Sequence, residues 1–226
     1  MSSIVRFAIR FFIGIIIFVG LPLLGWDLTD VQGFVAHPAR LGYVTLMVLL
    51  QIFITLKFPN AGRTGGEGTK TLGRQRVAVM LMQVFSLAIV VAAPFSDRRD
   101  FAVIDGVEAV RYAGLVLFAF GFFAMNWAEA SLGKQFSIQV TIQQDHQLVT
   151  DGLYRYLRHP RYLAIIIFNV GLALVFRSWL ALILTAALTT VLLWRIHDEE
   201  AFMHQEFGAA WEAYSRKSWH LIPYVY

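Results

Sequence analysis

The chain has 226 residues, of which 58% are hydrophobic and 15% are charged, and its mean hydropathy is +0.60. Soluble domains carry about 25% charged residues, so this composition excludes an ordinary soluble domain and predicts a membrane protein. The absence of cysteine excludes disulfides, thiolate nucleophiles, zinc–cysteine sites and iron–sulfur clusters, and the net charge of +4 indicates no nucleic-acid partner because basic loops that orient membrane helices account for it.

A helix needs about 20 apolar residues to cross a hydrocarbon core about 30 Å thick. Four runs of about this length follow one another, at residues 4–24, 41–58, 77–95 and 112–130. We expect the first run to remain in the mature protein, because it is longer than the apolar part of a secretory signal and no convincing cleavage site follows it. A fifth apolar stretch, residues 162–196, is interrupted by Arg177 and Ser178 and predicts a hairpin of two short helices. The predicted fold is therefore an all-α, polytopic membrane helix bundle of about six transmembrane helices with a C-terminal helical hairpin.

The distribution of lysine and arginine predicts the orientation of this bundle. If the N-terminus is cytoplasmic, every basic residue faces the cytoplasm except Arg40, Arg98, Arg99, Arg111 and Arg177. Both termini are then cytoplasmic, and the glycine-rich residues 60–73 form a flexible cytoplasmic loop. This loop is not expected to cradle a phosphate, because its glycines follow no strand. We divide the chain into N-terminal transmembrane helices, residues 1–130, and a C-terminal core, residues 131–226.

Two polar segments flank the predicted hairpin. A hairpin brings its own ends together, so "RYLRHPRY" at its entry (residues 155–162) should face "RIHDEE" at its exit (residues 195–200) at the cytoplasmic interface. The arginines and tyrosines could simply be interfacial anchors, and the spacing of Arg195 and Glu199 also fits a routine i, i+4 ion pair. Arg195 follows an apolar run, however, and a charge at the membrane boundary favours a functional site. No metal site is indicated.

The polar residues of the C-terminal core form an ordered pattern. The pattern "HxLVTxGxYxxxRHPxY" is followed by "RxxxEE", "FG", a tyrosine and Ile-Pro, with the members His146, Leu148, Val149, Thr150, Gly152, Tyr154, Arg158, His159, Pro160, Tyr162, Arg195, Glu199, Glu200, Phe207, Gly208, Tyr214, Ile222 and Pro223. This set, which covers roughly the last hundred residues, resembles the isoprenylcysteine carboxyl methyltransferase family. That family lies within a broader group of membrane methyltransferases that includes phospholipid N-methyltransferases.

The resemblance implies a pocket for S-adenosylmethionine that is closed on the cytoplasmic side and open sideways to the bilayer. It implies that the cofactor contacts His146, Gln147, Leu148, Val149, Tyr154, His159, Pro160, Arg161, Tyr162 and Glu199. Arg195 would place the carboxylate of a lipophilic or lipidated substrate that enters from the membrane lipids, with Glu199 orienting Arg195 or holding the cofactor. The chain departs from the family pattern at Ala164, commonly glycine, and at Trp211, commonly tyrosine.

Other functions remain open from the residues alone. A phospholipid, amine or thiol acceptor must lose a proton, and His159 or Glu199 would then serve as the base. A nicotinamide-dependent membrane reductase is disfavoured by the short chain. A non-enzymatic membrane protein is a further alternative, although the inverted repeats and midplane charges of transporters are not evident.

Overall fold

The computed structural model describes residues 3–58, 70–71, 75–106, 108–133, 141–142 and 148–225. Within these residues the helices are α1 (Ser3–Ile15), α2 (Leu21–Trp26), α3 (Val31–Ala36), α4 (Pro38–Lys57), α5 (Gln75–Arg99), α6 (Ala109–Leu132), α7 (Pro160–Val175), α8 (Trp179–Phe207) and α9 (Ala209–Ser215). A π-helical turn, Ile16–Gly20, joins α1 to α2, and a 3₁₀ turn, Gly152–Arg155, precedes α7. Two short strands, β1 (Lys70–Thr71) and β2 (Thr141–Ile142), pair antiparallel. The helical membrane bundle expected from the sequence is confirmed.

Among the described residues, five helical segments are long and apolar enough to cross a membrane: Ala8–Trp26, Pro38–Lys57, Gln75–Arg99, Ala109–Leu132 and Trp179–Phe207. In lipid, a helix satisfies its own backbone hydrogen bonds, which is why these apolar runs are helical throughout. The C-terminal hairpin is present as α7 and α8, joined at Arg177 and Ser178. The expectation of two short arms is wrong for the second arm, because α8 has 29 residues. Helix-forming residues continue it beyond the apolar run until Gly208, whose φ of +46° ends it.

Side chains fix where the helices of the hairpin and of α4 begin. Ser178 caps α8, since its Oγ accepts a hydrogen bond of 3.0 Å from the backbone N–H of Ala181. His37 caps α4 in the same way through Nδ1, which accepts from the N–H of Ala39 at 3.1 Å. Prolines at the first positions of α4 and α7 lack only an N–H that no helical carbonyl would bind. The start of α7 therefore leaves His159 at the mouth of the helix.

Helices α6 and α7 pack with their backbones in contact. A Cβ atom on Gly114 would lie 2.6 Å from the backbone nitrogen of Val175, and one on Gly171 would overlap the backbone of Phe118. Gly121 meets the backbone of Phe168 in the same manner. Glycines on both helices thus permit an approach that any larger residue would prevent.

Helices α5 and α8 run antiparallel and are joined by polar contacts near both ends. Gln75 Nε2 donates to Asp198 Oδ2 at 3.0 Å, and Ser178 Oγ donates to Ser96 Oγ at 2.9 Å. On α5 these contacts are separated by about 30 Å of helix, which matches the thickness of a hydrocarbon core. The two pairs therefore join α5 to α8 at the two ends of a stretch of membrane length.

A buried ionic cluster lies at the end of the bundle that contains the hairpin turn. The carboxylate of Asp97 accepts hydrogen bonds of 2.8–3.1 Å from Arg40, Arg111 and Arg177. Three of the arginines that the sequence assigns to the side opposite the cytoplasm thus meet at one carboxylate. Arg158, Arg161 and Arg195 lie at the other end of the hairpin, so the two sets of basic residues are separated as the sequence predicts.

Candidate active site

The two arms of the hairpin meet through a tyrosine, an arginine and a glutamate. The phenol of Tyr162, on α7, donates to Glu199 Oε1 at 2.5 Å. Arg195 Nε, on α8, donates to the Tyr162 oxygen at 2.7 Å and to Glu199 Oε1 at 2.9 Å. Arg195 is only 2% exposed. These contacts hold a buried guanidinium in one orientation where the apolar run of α8 ends.

The two oxygens of the Glu199 carboxylate are used differently. Tyr162 and Arg195 both contact Oε1, whereas Oε2 lies 3.6 Å from His159 Nδ1, beyond hydrogen-bond distance. Within the described part of the chain, Oε2 receives no closer donor. The side chain of Glu199 is 17% exposed, so this oxygen remains for a hydroxyl or ammonium group of a ligand.

Aromatic rings form one wall beside this carboxylate. The rings of His159 and Tyr162 are nearly parallel, with centroids 5.6 Å apart. Tyr154, from the 3₁₀ turn, is buried close enough to Arg161, Tyr162 and Glu199 to interact with their charges. Burial is the main cause that raises the pKa of the Tyr154 hydroxyl, so the group stays protonated and can donate a hydrogen bond.

A second carboxylate, Glu200, follows Glu199 on α8 and contacts the residues at the start of α7. Its Oε1 accepts from Arg158 Nε at 2.7 Å and lies 2.9 Å from His159 Nε2, and its Oε2 lies 3.1 Å from His220 Nε2. The contact to Glu200 orients the imidazole of His159, whose other nitrogen points towards Glu199. Glu200 thus helps to fix the orientation of the His159 ring beside Glu199.

The C-terminal tail after α9 forms the outer side of the hairpin entry. The backbone N–H groups of Arg158 and His159 donate to the carbonyls of Trp219 and His220 at 2.8 and 3.1 Å. The guanidinium of Arg158 also donates to the carbonyl of Ser218 at 2.5 Å. Because backbone and side chain are both bound, the residues that begin α7 are fixed by a segment more than fifty positions further along the chain.

Aromatic residues of α9 anchor the same tail. Tyr214 donates its hydroxyl to the carbonyl of Tyr154 at 2.7 Å, and its ring packs edge-on against Trp211. Burial raises the pKa of Tyr214 to about 12, which keeps this donor protonated. Trp211, where the family pattern commonly has tyrosine, is itself buried.

The structure brings together four of the residues predicted for the site: His159, Tyr162, Arg195 and Glu199. Pro160 is buried as the first residue of α7, and Arg161 instead pairs with Glu129 of α6 at 2.8 Å. Leu148 and Val149 are half-buried before the 3₁₀ turn. His146 and Gln147 lie outside the described residues.

Sequence reasoning did not assign a role to several residues that contact this cluster. Arg158 and Glu200 stand inside the quoted motifs, so their spacing offered a signal. His220 offered none, because it comes from the C-terminal tail and reaches Glu200 only through the fold.

The part of the chain that contains this site is similar in sequence to known proteins. Residues 114–205 match the model of the isoprenylcysteine carboxyl methyltransferase (ICMT) family. A probable protein-S-isoprenylcysteine O-methyltransferase of Oryza sativa subsp. indica is 32% identical over 166 residues, which cover 70% of this chain and 85% of that protein. The protein-S-isoprenylcysteine O-methyltransferase of Schizosaccharomyces pombe is 26% identical over 196 residues, or 81% of each chain.

One solved structure has a similar fold. The eukaryotic intramembrane Ras methyltransferase ICMT (isoprenylcysteine carboxyl methyltransferase) superposes with a TM-score of 0.56 at 19% sequence identity. The superposition covers 100% of this chain and 88% of that chain, so the similarity extends to the N-terminal helices.

Proposed function

Because the chain belongs to the isoprenylcysteine carboxyl methyltransferase family, we propose that it transfers a methyl group from S-adenosylmethionine to the carboxylate of a lipophilic, isoprenylcysteine-like acceptor. It is a multi-pass membrane methyltransferase. The observation that carries the proposed acceptor is the buried guanidinium of Arg195, held by Tyr162 and Glu199 where the apolar run of α8 ends. A fixed, planar cation at that position suits a carboxylate attached to an apolar tail.

The side chains at the hairpin entry suit the proposed cofactor. S-adenosylmethionine carries an ammonium, ribose hydroxyls and an aromatic base, and the wall offers a carboxylate oxygen on Glu199 and the parallel rings of His159 and Tyr162. We assign cofactor binding to His146, Gln147, Leu148, Val149, Tyr154, His159, Pro160, Arg161, Tyr162 and Glu199. When bound, the cofactor supplies an electrophilic methyl group on a sulfonium.

The residues of the chain have to bind, orient and exclude water. A carboxylate acceptor needs no general base, so Arg195 only has to hold its two oxygens and aim one of them. Glu199 and Tyr162 fix the guanidinium before the acceptor arrives. Since an anionic acceptor and a cationic donor both lose charge during transfer, the buried position of Arg195 favours the reaction over the same encounter in water.

The proposed orientation places the site and both termini in the cytoplasm. It is supported by the separation of the basic residues, with Arg158, Arg161 and Arg195 at one end of the hairpin and the arginines that bind Asp97 at the other. A lipidated acceptor would keep its apolar chain in the bilayer and present its carboxylate at this boundary.

Methyl transfer by the purified protein tests the proposal. The protein in lipid nanodiscs is incubated with S-adenosylmethionine labelled in its methyl group. The acceptors offered are carboxylic acids that carry a prenyl thioether, amines, thiols and phospholipids. We expect label in the acids, released as methanol by base, as a methyl ester requires. Label confined to amines, thiols or phospholipids would contradict the carboxylate acceptor.

A further inference from the structure

The C-terminal tail after α9 carries large apolar side chains that are exposed. Trp219 is 42% exposed and Ile222 is 44% exposed, while Tyr224 and Val225 are 87% and 77% exposed. The rings of Trp219 and Tyr224 lie side by side, with centroids 5.2 Å apart. We call these four residues the tail patch. A contiguous exposed apolar surface of this kind marks a site that binds lipid or protein.

Backbone contacts place the tail patch at the level where α7 begins. The N–H of Trp219 donates to the carbonyl of Tyr156 at 2.9 Å, and the carbonyl of Trp219 accepts from the N–H of Arg158 at 2.8 Å. Two residues further along the tail, Leu221 is buried and belongs to the same apolar cluster as Tyr162 of α7. The tail therefore returns from α9 to the boundary of the helix bundle.

Helix α7 is too short to cross a bilayer by itself. Its 16 residues span about 24 Å, whereas the hydrocarbon core is about 30 Å thick. The far end of α7 is held at the buried ionic cluster, where Arg111 donates to the carbonyl of Val175 at 2.7 Å. A bilayer that begins at this cluster therefore reaches about 6 Å past the start of α7, to the level of the tail patch.

Basic side chains flank the tail patch. Arg216 and Lys217 directly precede it in the chain, and Arg155 precedes the residue that binds the N–H of Trp219; all three basic residues are exposed. The acidic Glu212 of α9 is paired with His204. Aromatic and apolar side chains next to exposed basic residues are typical of segments that bind the headgroup region of anionic lipids.

We propose that the tail patch binds the headgroup region of an anionic lipid leaflet and that this binding holds the tail against the hairpin entry. The contact with lipid is independent of the proposed function. Its consequence for the cofactor rests on that function, because Arg158 and His159, whose backbones the tail binds, adjoin the proposed cofactor site. Lipid that favours the docked tail should therefore also favour the bound cofactor, since the two equilibria are coupled.

Single spin labels test the contact with lipid, because the chain has no native cysteine. Tyr224→Cys and Val225→Cys place the label in the tail patch, and Ala213→Cys, at an exposed position of α9, is the matched control. In lipid nanodiscs, each nitroxide is exposed to oxygen, which concentrates in the bilayer, and to nickel(II) ethylenediaminediacetate, which stays in water. We expect the ratio of oxygen to nickel collisions to be at least about fivefold higher for the two patch labels than for the control.

A change of lipid charge tests the coupling to the cofactor. Calorimetry measures the Kd of S-adenosylmethionine in nanodiscs of phosphatidylcholine, with and without phosphatidylserine. We expect phosphatidylserine to lower the Kd of the wild type at least about threefold. The double variant Arg216→Gln, Lys217→Gln should lose this difference. The double variant Lys57→Gln, Arg76→Gln removes the same charge from exposed positions of α4 and α5 and should keep it.

The possible outcomes separate the lipid contact from the proposed function. Equal collision ratios for the patch and control labels overturn the lipid contact. Protection of the patch labels from both reagents also overturns it, because protein would then cover the patch. The absence of a lipid effect in the wild type, or an equal effect in both double variants, overturns the coupling. If the wild type binds no S-adenosylmethionine in either lipid, the proposed cofactor is wrong, while the collision ratios still decide the lipid contact.

Discussion

His159 and His220 contact opposite oxygens of one carboxylate: the imidazole of His159 lies 2.9 Å from Glu200 Oε1, and that of His220 lies 3.1 Å from Oε2. One histidine begins α7 and the other belongs to the C-terminal tail. Arg158 completes the set by donating to Oε1 at 2.7 Å. The docking of the tail is thereby linked to the protonation of the imidazole of His220.

Acidification should weaken this docking. Burial is the main cause that lowers the pKa of His220 below its ordinary value of about 6.5, although the charge of Glu200 acts in the opposite direction. Between the pKa of His220 in the folded chain and its higher pKa in the unfolded chain, the unfolded chain binds more protons. The free energy of unfolding therefore decreases as pH falls through that window. We expect His220→Gln, which retains a donor for Glu200, to show a shallower decrease of Tm between about pH 7 and pH 5.

Thermal unfolding of both proteins in the same detergent measures the difference. His204→Gln is the matched control, because His204, on α8, is exposed and its ion pair is with the exposed Glu212 of α9 and not with Glu200. A wild-type slope in His220→Gln would show that His220 does not link the tail to pH.

Replacement of Arg195 by lysine separates a substrate-binding role from a structural one. Lysine keeps the positive charge but cannot hold two carboxylate oxygens in a plane, so turnover should fall well over tenfold while cofactor affinity changes little. An arginine that only pairs with Glu199 should tolerate lysine, with near wild-type turnover, because lysine keeps the charge that the pair needs. Steady-state kinetics with a carboxylic acid that carries a prenyl thioether measures turnover, and calorimetry measures cofactor affinity. Together they distinguish the two results.

Removal of either ring at the hairpin entry should weaken the binding of S-adenosylmethionine. We expect His159→Ala and Tyr162→Ala to raise Kd at least tenfold, which corresponds to about 1.4 kcal/mol. Isothermal calorimetry on monodisperse protein measures the affinity, with Tyr112→Ala, an exposed tyrosine of α6, as the control. Unchanged affinity in both variants would remove the start of α7 from the cofactor site.

Substitution of Asp97 by asparagine should strongly destabilise the fold. The change leaves the guanidinium groups of Arg40, Arg111 and Arg177 without their shared buried carboxylate, and breaking a buried ion pair costs about 3–5 kcal/mol. Asp30→Asn is a suitable control, since its partner Arg98 is partly exposed and asparagine still caps α3. We expect a loss of at most about 1 kcal/mol there. Equal Tm values for the two variants would contradict a central role for Asp97.

Single-cysteine labelling tests the orientation, because the chain has no native cysteine. We expect Gly66→Cys to be protected from a membrane-impermeant maleimide in intact cells and Asp105→Cys to react. Asp105 is exposed beside the end of the bundle that contains Asp97. Reaction of Gly66→Cys from outside would reverse the proposed topology.

The sequence predicts those parts of the fold that depend on neighbouring residues. Apolar runs of membrane length locate the spans, and the interruption at Arg177 and Ser178 locates the turn of the hairpin. The meeting of Tyr162 with Arg195 then follows from the hairpin alone, although 33 positions separate them. The length of α8 is not predicted correctly, because hydropathy detects the end of an apolar run and not the end of a helix.

Contacts that depend on the packing of distant elements have no signal in a single sequence. Asp97 meets Arg177 across 80 positions, and Gln75 meets Asp198 across 123. Each of these polar residues, taken alone, is as typical of a solvated helix end as of a buried pair. The same holds for His220, whose position in the tail gives no indication that it reaches Glu200.

The glycine contacts between α6 and α7 restrict how an acceptor can reach the site. Where Gly114, Gly121 and Gly171 bring the two backbones together, no gap remains for an isoprenoid chain to pass. For a substrate that arrives by lateral diffusion in the leaflet, this side of the bundle is a wall. Entry between α6 and α7 is closed at these positions, and substitutions along the glycine seam should disturb folding.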